Sequence, residues 1–318
     1  IRSDPSNMSD LVWKKSLDCN QGAVRAVRYN VSGTYCISCG SDKKIKLWNH
    51  NTSLLLKTYG GHADEVTDAC GSCDSCHIVS ASLDKSVIYW DVMTGQPIRR
   101  LRAHAGGITC IRLNEDSSIA VSGSRDHSVM CWDVRTRKQE PAQVMKHAKD
   151  CITSLVVSDY KVIASSLDGN VRHYDLRAAK LITDKIGEPV THIVQTKDEQ
   201  CVLAASTDGI LRLIDNDNAC VLNEYKGHKT EDYHIECGVL ANDTQIISGS
   251  TEGCAVIWNL DDAKELTRLK LGQGVVHSIA VHPTKQEVLL AKGRDVHVFG
   301  IETNEVGEPS DILHAYVY

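Results

Sequence analysis

The sequence predicts an all-β fold: seven small antiparallel sheets of four strands each, packed radially into a closed ring. Three observations predict it. Aromatic residues end strand-like runs at a fixed interval, with Trp48, Trp90 and Trp132 each 42 residues apart. An acid stands six residues before each of them, as Asp42, Asp84 and Asp126, at a turn. Every interval holds four short β-prone runs with turn residues between them. A fixed period of this length marks a repeat architecture. One such sheet has two apolar faces and is not stable alone, whereas radial packing buries both faces of each.

Taken in order, the strand-ending positions are Trp48-Asn49, Trp90-Asp91, Trp132-Asp133, Tyr174-Asp175, Ile214-Asp215, Trp258-Asn259 and Phe299-Gly300, spaced 42, 42, 42, 40, 44 and 41 residues. The turn acid continues as Asp168, Asp208 and Glu252, and the seventh unit has Gly293 in its place. An apolar residue opens the first strand of most units: Val24, Val66, Ile108, Ile152, Val190 and Val276. A histidine stands just upstream in units 2, 3, 4 and 6: His62, His104, His147 and His228. The seventh unit lacks an outer strand. Val12 to Leu17 is expected to supply it in preference to Ile312 to Tyr318, because an N-terminal strand ties first and last units together and leaves no open sheet edge. The resulting division is a disordered or vector-derived N-terminus over 1–10, with Met8 as the natural start, a ring over 11–300 and a C-terminal tail over 301–318.

The 35 Lys and Arg against 41 Asp and Glu give a net charge of −6, which argues against a general nucleic-acid binder. The 13 cysteines are odd in number and sit mostly alone inside strand-like runs, as Cys110, Cys131 and Cys254 do. Free buried thiols of this kind belong in a reducing compartment. No apolar run approaches the ~18 residues of a membrane span, and no signal peptide is visible, so no membrane partner and an intracellular location are expected.

The repeat resembles the WD-repeat β-propeller family over residues 20–300 or so. That resemblance implies a buried hydrogen-bonded tetrad of His, strand Ser, turn Asp and Trp in each complete unit. The chemistry is consistent: a buried carboxylate needs donors, and an indole N–H needs an acceptor. By matching positions the tetrads are His62, Ser80, Asp84 and Trp90 in unit 2; His104, Ser122, Asp126 and Trp132 in unit 3; and His228, Ser248, Glu252 and Trp258 in unit 6. Unit 4 has Ala164 and Tyr174 at the Ser and Trp positions, and units 5 and 7 are expected to be held by apolar packing.

Two constellations invite sharper readings. Cys70, Cys73, Cys76 and His77 have zinc-like spacing, and Cys73 to His77 matches a haem-attachment pattern. The repeat register places them at a solvent-side turn where neighbouring units need no metal, so no metal and no cofactor is expected. His62, Ser80 and Asp84 superficially form a catalytic set. Unit 3 repeats the set at one repeat spacing, which points to bracing and to a protein without enzymatic activity.

Function is therefore sought on the surface. Loops before the first strands and turns at each acid share one face, carrying Arg25, Lys43, Lys44, Lys85, Arg125 and His127, opposite Asp64, Glu65, Glu231, Asp232 and Tyr233. A basic arc facing acidic loops suits a peptide of mixed charge. Trp132-Asp133-Val134-Arg135 and Tyr174-Asp175-Leu176-Arg177 resemble the WD-x-Arg boxes of cullin–RING ubiquitin ligase substrate receptors, which implies that Arg135 and Arg177 contact a ligase adaptor. Longer stretches are more specific. Asn20 to Asn49, Ser158 to Arg177, Tyr225 to His228 and Gly274 to Pro283 resemble the mitogen-activated protein kinase organizer family, that of WD repeat domain-containing protein 83. That resemblance implies a scaffold of the cytoplasm and nucleus, monomeric outside its complexes. Its implied partners are proteins: kinases of the extracellular-signal-regulated cascade, spliceosomal proteins in pre-mRNA splicing, a polarity complex and an oxygen-sensing prolyl hydroxylase. The substrate-receptor reading stands as the alternative.

Overall fold

A computed structural model describes residues 11–231 and 233–301. The expectations for residues 1–10, Met8, Asp232 and the tail beyond Ile301, including the run from Ile312, lie outside them. The described residues form 28 strands and no helix, arranged as seven four-stranded antiparallel sheets. This is a seven-bladed propeller. Blade 1 runs outward from the central channel as Val24–Tyr29, Cys36–Gly40, Lys44–Asn49 and Leu54–Gly60. Blades 2 to 6 repeat that order. Blade 7 comprises Val276–Val281, Glu287–Lys292 and Asp295–Ile301, and its outer strand is Leu11–Asp18. The N-terminal strand therefore closes the ring, paired from Leu11 with Ile301 to Asp18 with Asp295.

Packing follows from the pattern. The second strand of blade 1 is buried at every position, because a middle strand is covered by a blade on either side. Apolar clusters accordingly span two blades: Ile37, Ile45 and Tyr59 of blade 1 pack on Val66, Ile78 and Trp90 of blade 2. Neighbouring blades are also latched by side chains. In the innermost strands Thr67 Oγ1 donates to the Ile108 carbonyl (2.9 Å), Thr109 to Ile152 (2.6 Å) and Thr153 to Val190 (2.8 Å). At the outer rim Lys15, Lys57 and Arg99, 42 residues apart, each donate to turn carbonyls of the following blade. Both rings of bonds fix the angle between blades.

Tight turns carry the surface loops. The residue after each turn acid has positive φ: Lys43 at 65°, Lys85 at 66° and His127 at 66° in blades 1 to 3, then Gly169, Gly209 and Gly253 at 77°, 74° and 75°. Glycine adopts this conformation freely, whereas an L side chain there costs on the order of 1–2 kcal/mol.

Candidate functional site

The bracing comes first, because it decides which polar groups remain free. In blade 2, His62 Nδ1 lies 3.0 Å from Asp84 Oδ2, and His62 Nε2 lies 2.8 Å from Ser80 Oγ. Trp90 Nε1 donates to the same Oγ at 2.8 Å, and the Ala63 amide donates to Asp84 at 2.8 Å. A neutral His62 with its proton on Nδ1 satisfies every group: it donates to Asp84 and accepts from Ser80, which accepts from Trp90. Blade 3 repeats this with His104, Asp126, Ser122 and Trp132 at 2.9, 2.8 and 2.8 Å. Burial alone would raise the Asp126 carboxyl. Hydrogen bonds from Ser128, His104 and the Ala105 amide bring it down to about 2. Burial lowers His104 itself, which favours the neutral ring.

Blade 1 contains a tetrad that the sequence analysis missed. Gln21 stands where other blades have histidine: its amide donates to Asp42 (3.2 Å) and its carbonyl accepts from Ser38, which accepts from Trp48 at 2.9 Å. In blade 4 the acid turns to an arginine four residues on. Arg172 donates to Asp168 at 2.6 and 3.1 Å, while His147 is exposed and tilts over Tyr174. Blade 5 does the same: Arg212 donates to Asp208 at 2.6 Å and to Ser206, so a polar bond supplements the expected apolar packing.

The sixth blade corrects an expectation. Its tetrad is not formed. Glu252, one methylene longer than aspartate, points outward to Lys229 (2.7 Å) and Arg268. Trp258 donates to the Lys226 carbonyl, and Ser248 to Gly249. His228 is left buried among the described residues with neither ring nitrogen bonded, and burial lowers it to about 4. A contrast tests this. His228→Leu removes an unsatisfied group and is expected to leave Tm within about 2 °C, whereas His104→Leu, which strands Asp126 and Ser122, lowers it by several degrees. Equal losses would show that His228 is satisfied after all.

The surface residues divide sharply. Arg25 is already paired with Glu65 across blades 1 and 2 (2.8 Å), and Lys43 donates to the Ala63 carbonyl (2.9 Å), so the expected free basic arc is partly closed on itself. Lys44, Lys85, Arg125 and His127 are exposed, and Tyr233 is 54% exposed. Lys43, Lys85 and His127 occupy the positive-φ column in which three other blades use glycine. That column was the signal available in the sequence.

Arg125 and Tyr233 border a cavity of about 1000 Å³ at the mouth of the central channel. A second cavity of about 410 Å³ opens from the other end, and the two meet at Arg28, Arg112 and His192. This waist was not singled out from the sequence, although Arg28 and Arg112 lie 84 residues apart, two repeats, in the same column. There Arg28 donates to Glu236 at 2.6 and 2.9 Å and lies 3.0 Å from Asp68, which also accepts from Arg112. Glu236 further accepts from Ser278 (2.7 Å) and the Ile279 amide (2.9 Å), and Asp68 from the Ile111 amide (3.2 Å). Burial favours protonation of Glu236, but the Arg28 charge and bonds hold it well below the usual carboxylate range. Burial lowers His192 to about 3.

The remaining candidates lie elsewhere. Arg135 is exposed beside Asp133, whereas the Arg177 guanidinium stacks on Tyr160, 4.1 Å from the ring centroid. Cys73 and Cys76 are exposed around the turn that begins at Ser72, Cys70 is half-buried, and His77 stacks on Tyr89. Among the described residues no group of three or more His, Cys, Asp or Glu side chains is arranged to hold a metal.

The chain matches the family model described as WD domain, G-beta repeat, at residues 12–49, 53–91 and 95–133. Each matched segment starts on, or within two residues of, the outer strand of one blade and ends on the third strand of the next, the offset that makes ring closure possible. The chain is 55% identical to WD repeat domain-containing protein 83 of Rattus norvegicus and 53% identical to that of Homo sapiens, each over 291 residues and 92% of both chains. It is 34% identical over 310 residues to the Dictyostelium discoideum protein named WD repeat domain-containing protein 83 homolog, covering 89% of this chain and 95% of that one.

Proposed function

The chain belongs to the WD-repeat family of WD repeat domain-containing protein 83, and on that premise we propose that it is a non-catalytic protein-interaction scaffold. One observation carries the reading. The hydroxyls that look nucleophilic, Ser80 and Ser122, are fully buried and already bonded to both a histidine and an indole. They brace a rigid disc, and the variable chemistry is left to the loops. The assignment extends to a scaffold that groups kinases of the extracellular-signal-regulated cascade and associates with the pre-mRNA splicing machinery, in cytoplasm and nucleus. Its mechanism is effective concentration: partners held on separate faces of one stiff body meet without a new contact between them.

Affinity purification of the tagged chain from cells, read by mass spectrometry, tests this. Cascade kinases and spliceosomal proteins are expected above background. Recovery of a cullin adaptor that is lost with Arg135→Ala and Arg177→Ala would move the assignment to a ligase substrate receptor. Recovery of no proteins above background would overturn the scaffold reading.

A further inference from the structure

We propose that the channel mouth receives an acidic side chain from an extended segment of a partner protein, passing Arg125 and bonding to Arg112 at the waist. The proposal rests on the scaffold reading and names the chemistry of one contact within it.

Charge points to an anion. Six Lys and Arg side chains line the cavity, although the whole chain carries −6. Arg25 is paired with Glu65, Arg294 lies near Asp18 and Arg28 is held by Glu236 and Asp68, which leaves Arg112 and Arg125 as the arginines with capacity to spare. A basic concavity in an acidic protein concentrates negative ligands.

Unused hydrogen-bonding capacity points the same way, and more specifically. The waist carboxylates are saturated: Glu236 accepts from Arg28, Ser278 and the Ile279 amide, and Asp68 from Arg28, Arg112 and the Ile111 amide. A cationic side chain entering the channel would find neither free. The guanidinium of Arg112 is different. Only its Nη1 is bonded, to Asp68 and the Ile111 carbonyl, and Nε and Nη2 have no partner among the described residues. The residue borders both cavities. Nε and Nη2 form a fork that matches a carboxylate in bidentate geometry. Arg125, exposed on the blade 3 turn, has no side-chain bond or ion pair among the described residues and stands on the route in. Tyr233, exposed at the rim, offers a ring against which a peptide backbone can lie. The volume of about 1000 Å³ accommodates a side chain with the residues that flank it.

The test uses two fluorescein-labelled octapeptides, one alternating Gly and Glu, the other alternating Gly and Gln. Anisotropy is read against the full chain at about 20 mM salt, where screening is weak. The Glu peptide is expected to bind at least about tenfold more tightly than its amide counterpart. Arg125→Ala, an exposed change that cannot disturb the core, is expected to weaken it severalfold. Arg112→Met, which leaves Asp68 paired with Arg28, is expected to abolish the preference while the circular dichroism spectrum is unchanged; should Arg112→Met fail to fold, Arg125→Ala alone decides. Equal affinity for the two peptides, a Glu-peptide affinity that Arg125→Ala leaves unchanged, or a preference that survives in folded Arg112→Met, would overturn the proposal. So would displacement of the Glu peptide by octauridylate at lower concentration than by unlabelled Glu peptide, since the anion would then be a nucleic acid. Failure of the peptide preference while cellular proteins are still captured sinks this inference alone; peptide binding without capture sinks the scaffold reading instead.

Discussion

Removing residues 11–18 is expected to lower the melting temperature by on the order of 10 °C and to broaden the unfolding transition. The strand does two jobs. It buries Leu11 and Leu17, which are 7% and 2% exposed, against blade 7 and the seam to blade 1. Those two side chains contribute about 1.5–3 kcal/mol each. Its ladder to Asp295–Ile301 adds several net hydrogen bonds of about 1 kcal/mol each. The total approaches the whole stability of a typical domain, about 5–15 kcal/mol. Loss of the strand also opens the ring and exposes an unpaired edge from Asp295 to Ile301, so aggregation on heating is expected too. Differential scanning fluorimetry with light scattering checks both. A truncated chain that melts within about 2 °C of the full one would show that blade 7 is stable without its fourth strand.

Asp126→Ala carries the second large effect. The substitution removes the acceptor for His104, Ser128 and the Ala105 amide together. Each buried donor left unsatisfied costs about 1–3 kcal/mol, and a loss of several degrees in Tm is expected before any loss of partner binding at the permissive temperature. The pH dependence has a definite sign. The folded carboxyl titrates at about 2, below its unfolded value near 3.9, so its stabilisation is complete above about pH 4 and disappears as pH falls toward 2. His228 adds an earlier decline: its folded value of about 4 lies below the unfolded value near 6.5, so stability drops as acid protonates the unfolded chain first. Urea titrations from pH 7 to pH 2.5 should show a shallow loss below about pH 6.5 and a steeper one below about pH 4. Asp126→Asn should reduce the second by one carboxylate's share, since Asp84, Asp168, Glu236 and Glu287 are also held low, and should leave the first, which His192 shares, unchanged. A second segment undiminished in Asp126→Asn would show that Asp126 contributes nothing to it.

The fold was legible because its determinants are local and repeated. Trp48, Trp90 and Trp132 with their turn acids set the blade spacing, and seven such units leave one strand to be found at a terminus. The bracing was legible only where the residue type was conventional. Gln21 presents the same donor and acceptor as a neutral histidine, yet nothing in a search for histidines finds it. Arg172 and Arg212 reach their acids along one strand edge, a four-residue relation invisible beside the longer period. Glu252 misled for the opposite reason: its carboxylate is the expected chemistry on a side chain one carbon too long. The channel was hardest. Arg28, Asp68, Arg112 and Glu236 belong to four different blades and meet only when the ring closes; each alone reads as a charge at or beside a strand position.

The closure of blade 7 by Leu11–Asp18 also sets a clock. Asp18 pairs with Asp295, 277 residues later in synthesis. At roughly 5–20 residues per second, about 15–55 s separate the appearance of the two partners at the ribosome. During that interval blades 1 to 6 can form in succession, each templated by the one before, while the first strand made has nowhere to go. Its charged Lys14 and Lys15 keep it a poor template for stray pairing while it waits. The strand made ahead of blade 1 is thus placed after blade 6, and ring completion is expected to follow translation and a single long-range search rather than the speed at which any blade folds.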